Sequence, residues 1–108
     1  MTGRNFDDLL LNSIDDALTS LGESVKQSTY FHIENKYSVP RKDIPCNLRR
    51  FQEGLEKIFG TGARFIEILI MKNLHSEIGL PLDKLQGSDL EFVAYVAAAK
   101  QKFKKKSV

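Results

Sequence analysis

Apolar residues recur along this chain at spacings of three and four, the period of a helix that buries one face. Phe6, Leu9, Leu10, Ile14, Ala17, Leu18 and Leu21 keep that spacing and predict a first helix from about Phe6 to Ser20. Asn5 and Asp8 stand where a cap would satisfy its free N–H groups. After Gly22 a second helix is predicted over Glu23–Tyr37, its inner face marked by Val25, Thr29, His32 or Ile33, and Tyr37. Ser38–Pro45 holds two prolines, each of which disfavours helix at the residue before it, so it reads as a connector. A third helix follows over Pro45–Phe59, with Leu48, Phe51, Leu55, Ile58 and Phe59 on one stripe. Gly60 stands where a left-handed cap would close it. No sustained alternation of apolar and polar residues predicts a strand.

The fourth predicted helix, Gly62–Ile78, breaks the one-stripe pattern. Six of the seven residues from Phe65 to Met71 are apolar, and a helix apolar nearly all round is covered by neighbours on several sides. The fold class is therefore all-α: a compact bundle of about five helices with the fourth helix central. Leu80–Gly87 is a second connector, and Ser88-Asp89-Leu90-Glu91 reads as a capping box opening a fifth helix that continues into a run of lysines. That helix is also apolar around most of its surface, from Leu90 to Ala99. Two such helices are hard to bury in one chain of 108 residues. Leu90, Val93, Tyr95, Val96 and Ala97 are accordingly expected to meet another chain, in a homodimer or with a protein partner.

The length fits one domain, read as residues 1–103, with 104–108 as a lysine-rich tail. Hydrophobic content of 42% and charged content of 28% exclude a disordered chain. The single cysteine, Cys46, cannot form an internal disulfide, which suits a reducing compartment. The first residues show no secretory pattern and no apolar run approaches membrane-spanning length, so the expected location is cytoplasmic and no membrane partner is expected.

Charge is unevenly spread. The segments 1–35 and 51–99 are net acidic, whereas 36–50 and the last nine residues are basic. Arg41, Lys42, Arg49 and Arg50 with Lys100, Lys102, Lys104, Lys105 and Lys106 are therefore candidate nucleic-acid contacts. The competing reading is that cations at a helix C-terminus complement its dipole.

Candidate chemistry is sparse. Gly60-Thr61-Gly62-Ala63-Arg64 precedes a helix, whose N-terminus attracts anions, but it lacks the glycine and lysine spacing of a phosphate loop. A tight interhelical turn is the plainer reading. His32 with Glu34 and His75 with Glu77 form His-x-Glu pairs, but without the Pro-Cys-x-x-Cys partner of the zinc deaminases. Cys46 has no evident base beside it, and Asp7-Asp8 and Asp15-Asp16 read as solvated helix charge. No catalytic residue, metal site or cofactor is expected, and the protein is not expected to be an enzyme.

Ala17-Leu18-Thr19-Ser20-Leu21-Gly22, Tyr30, Ile44-Pro45, Phe51, Leu55 and Phe59-Gly60-Thr61-Gly62-Ala63 with the isoleucine-rich helix that follows carry a resemblance over residues 16–80. The stretch resembles a small archaeal all-α family described as a signalling output domain, the Nitrosopumilus-type output domain group. The resemblance implies a helical module that stands alone or is attached to sensor proteins. The expected function is a non-enzymatic regulatory or protein-interaction domain that dimerises through an apolar helix face. The alternative is a small nucleic-acid-associated protein using the tail and the Arg41–Arg50 cluster.

Overall fold

The computed structural model describes residues 5–78 and 91–106, with side chains as far as Phe103. Among the described residues five α-helices form one bundle: α1 (Phe6–Thr19), α2 (Glu23–Tyr37), α3 (Leu48–Phe59), α4 (Ala63–Ile78) and α5 (Phe92–Lys106). α4 packs on α1, α3 and α5, while α2 bridges α1 and α3. The fourth helix is central, as its sequence predicts.

Local chemistry sets the helix ends. Asn5 caps α1, its Oδ1 accepting the Asp8 N–H at 2.8 Å, and Asp7 and Asp8 sit at the positive end of the dipole. α2 ends at Ser38, a non-glycine residue with φ 58°, whose N–H donates to the Glu34 carbonyl. Two short 3-10 segments, Arg41–Cys46 and Gly60–Gly62, replace what the sequence reads as a loop and a simple turn. The first delays α3 to Leu48 instead of Pro45. Ile44 is wound inward to complete burial, and the Asn47 amide donates back to the Asp43 carbonyl. Gly60 closes α3 with φ 60° and ψ −131°, a glycine conformation but not the helical left-handed cap. At α5 the cap is Glu91 itself, whose Oε1 accepts the Ala94 N–H at 3.1 Å. Ser88, Asp89 and Leu90 of the expected capping box lie outside the described residues.

The core is continuous. Leu10, Ile14, Leu18, Ile33, Ile44, Phe51, Leu55, Ile70, Leu74 and Phe92 are inaccessible to solvent. α1 buries Leu11 and Ser13 beyond its expected stripe, because α4 covers it along one side while α2 and the first 3-10 segment cover others. The Ser13 carbonyl accepts the Asn73 amide at 3.2 Å, a polar tie between α1 and α4. α5 reaches from α3 to the start of α1: Phe92 packs against Phe51 with ring centroids 6.3 Å apart, and Phe103 against Phe6 at 5.9 Å.

Two residues of the Phe65–Met71 run depart from the sequence reading. Phe65 is 61% exposed, whereas Glu67, the one polar residue in the run, is buried. Helix geometry accounts for both. Ile66, Ile70 and Leu74 define the inner face, Glu67 projects from that same face with Met71 and Ile78, which are also buried, and Phe65 lies opposite.

Candidate interaction surface

The expected interface on α5 is divided by the fold. Tyr95 and Val96 are each 2% exposed, packed into the chain's own core. They are therefore corrected from interface to core residues: α5 turns its larger side chains inward and leaves Ala94, Ala97 and Ala98 outside. Val93 is half-buried against the core, Ala97 is exposed, and Leu90 lies outside the described residues.

The basic residues are dispersed, and several are engaged. Arg41 forks onto Asp15, with Nη2 at 2.6 Å and Nε at 3.1 Å, and the Tyr30 hydroxyl donates to the same carboxylate at 2.6 Å. This network ties the 3-10 segment Arg41–Cys46 to α1 and α2. Arg49 stands 3.9 Å from Glu91, and Arg50 donates to the Tyr37 carbonyl at 3.4 Å. Lys42, Lys100 and Lys102 are exposed. Lys104, Lys105 and Lys106 continue α5, their side chains lying outside the description. Arg49 and Arg50 line an open groove of about 420 Å³ with Pro45, Asn47 and Val93.

The Asp15 network has a testable pH signature. Burial raises the Asp15 pKa, but hydrogen bonds from Arg41 and Tyr30 and the nearby positive charges outweigh it, so the carboxyl titrates below its ordinary range. The stability this contributes is present above the unfolded carboxylate pKa, about 3.9, and is lost as pH falls through the lower folded value. Asp15→Asn is expected to cost about 1 kcal/mol near neutral pH, a modest figure because Arg41 is partly solvated. It should also flatten the acid limb of the unfolding curve. Thermal melts of both proteins between neutral and acid pH measure this.

At the expected anion loop, Gly60, Thr61 and Gly62 are exposed and Ala63 is buried. Arg64 lies 3.6 Å from the Glu67 carboxylate on its own helix, so its charge is directed at a partner one turn on. Cys46 is exposed. Among the described residues no cluster of His, Cys, Asp or Glu could hold a metal ion, and no helix is long and apolar enough to cross a membrane.

Two exposed aromatic rings were not anticipated: Phe31, 71% exposed on α2, and Phe65, 61% exposed on α4. Phe65 is not isolated. Ile68 and Leu69, three and four residues on, are half-buried on the same outer side of α4. Lys72 at i+7 is exposed beside them. The signal in the sequence was Lys72 and Ser76, which share the Phe65 face and mark it as the solvent side. On the other flank, α2 and α3 frame a shallow groove of about 330 Å³ lined by Val25, Thr29, His32, Ile58 and Phe59.

No protein-family model, curated protein or solved structure matches this chain.

Proposed function

We propose that this is a non-enzymatic regulatory or protein-interaction domain that self-associates through the outer face of α4, centred on Phe65. The observation that carries it is the exposure of Phe65 beside the half-buried Ile68 and Leu69. Leaving an aromatic ring in water forgoes about 1.5–3 kcal/mol of burial, and contiguous apolar surface of this kind marks contact sites. A protein partner is favoured over nucleic acid because Arg41, Arg49 and Arg50 already have partners within the chain. The signalling output module implied by the resemblance at residues 16–80 is the same class of function. A single exposed cysteine suits a cytoplasmic setting.

Light scattering over a concentration series tests the reading. The wild-type protein is expected to move from monomer towards dimer as concentration rises. Phe65→Ser is expected to remain monomeric with its helicity and melting temperature nearly unchanged, because most of the ring is already outside the fold. A wild-type protein that stays strictly monomeric at high concentration counts against self-association.

A further inference from the structure

Four residues make the outward stripe of α4: Phe65, 61% exposed, the half-buried Ile68 and Leu69, and the exposed Lys72. At 3.6 residues per turn they fall within about 100° of the helix circumference. Ala63, Ile66, Glu67, Ile70, Met71 and Leu74 are buried on the other side. The order along the stripe is symmetric about the midpoint between Ile68 and Leu69. Phe65 stands three residues before Ile68, and Lys72 stands three residues after Leu69. The stripe therefore has an aromatic ring at one end, a cation at the other and two aliphatic side chains between. The acid within this stretch, Glu67, is turned inward and buried. The Lys72 ammonium has no ion-pair partner among the described residues.

Two identical helix faces close into a two-fold pair only if the face complements itself. In a parallel pair every residue meets its own counterpart. Lys72 would then face Lys72 with no carboxylate on the stripe to offset the repulsion, and the two positive helix N-termini would lie side by side. An antiparallel pair, turned about the midpoint of the stripe, has neither fault. Resting on the self-association proposed above, we propose that the second copy packs antiparallel on α4, with each Lys72 over the Phe65 ring of the other copy. Ile68 then meets Leu69 of the second copy at the two-fold axis. The ammonium is drawn to the negative face of the ring, while its aliphatic stem covers apolar carbon. The helix dipoles run in opposite directions, and symmetry supplies each of these contacts twice. Charge thus selects one orientation of an otherwise apolar contact.

Disulfide trapping of the full chain tests the orientation, with the exposed Cys46 first replaced by serine. Leu69→Cys lies beside the axis and is expected to cross-link to its own counterpart on oxidation. Lys72→Cys is not: antiparallel packing sets the two copies of this position about 10 Å apart along the helices, beyond the reach of a disulfide. A second measurement needs no cysteine. Lys72→Gln is expected to weaken dimerisation about fivefold, since two ring–cation pairs are lost, while Lys72→Arg keeps it near the wild-type value. Both positions are at the surface, so melting temperatures should hold. Cross-linking of Lys72→Cys as readily as Leu69→Cys overturns the antiparallel pair, as does a dimer that Lys72→Gln tightens or leaves unchanged. Self-association itself survives those results. A wild-type protein that stays monomeric removes both proposals, and growth beyond a dimer in light scattering overturns the two-fold arrangement alone.

Discussion

Tyr95→Asp is expected to unfold the domain's tertiary structure, not to split a dimer. The ring is 2% exposed and packs in the core shared by α4 and α5. Burial alone pushes its hydroxyl pKa up to about 12, with no charge or donor contributing. The hydroxyl has no hydrogen-bond partner among the described residues. An aspartate there would lose the packing of an aromatic ring, about 3–5 kcal/mol when truncated, and would place a carboxylate where no cation or donor awaits it. The sum approaches the whole stability of a small domain, about 5–15 kcal/mol. The measurable outcome is a melting temperature depressed by tens of degrees or no cooperative transition at all. An interface residue would behave differently, giving a well-folded monomer with full helicity. Tyr95→Phe is the control. It removes only the unpartnered hydroxyl and should be neutral or stabilising by up to about 1 kcal/mol.

The contrast shows which parts of the molecule periodicity discloses. Helix positions follow from spacing because the period is a property of the backbone, and α2 begins and ends at the residues the spacing predicts. The Asn5 cap was legible for the same reason: the groups involved lie within one turn. What lay beyond the pattern was how much of each helix the neighbours would cover. α5 looked over-supplied with apolar surface because its alanines were counted with its large side chains. In the fold the large ones go inward with Ala99, while Ala94, Ala97 and Ala98 remain outside at little energetic loss. Phe65 and Glu67 exchanged their expected roles for a related reason. A run of apolar residues hides the phase of the helix, and only Lys72 and Ser76 reveal which side faces water. The Asp15, Tyr30 and Arg41 network was illegible, since its members stand 15 and 26 residues apart in sequence and no local rule brings them together.

The largest effect at a residue without a side chain is expected at Gly54. It lies in the interior of α3, where glycine is about 1 kcal/mol less favourable than alanine, so propensity alone makes Gly54→Ala stabilising. Packing argues the other way. A Cβ at this position would stand 2.8 Å from Cγ1 and 3.3 Å from Cδ1 of Ile33, with Tyr37 Cε2 at 3.5 Å. Ile33 is completely buried, and Cγ1 is a methylene bonded directly to the branched Cβ and held by a stiff χ1, not the free end of a flexible chain. The overlap can be relieved only by moving α2 away from α3, and overpacking of this kind costs about 1–3 kcal/mol. The clash should win: Gly54→Ala is expected to destabilise by about 1 kcal/mol, and Gly54→Leu, with three more carbons to place, by more than about 3 kcal/mol. Denaturant unfolding measures both. A double-mutant cycle assigns the cause. Ile33→Ala alone should cost about 2–5 kcal/mol through the cavity it leaves. Combined with Gly54→Ala it should cost less than the sum of the two, because the added methyl enters the space that Cγ1 vacates. Strict additivity would mean that α2 and α3 do not meet at this glycine, and the close approach that frames the groove between them would have to be given up.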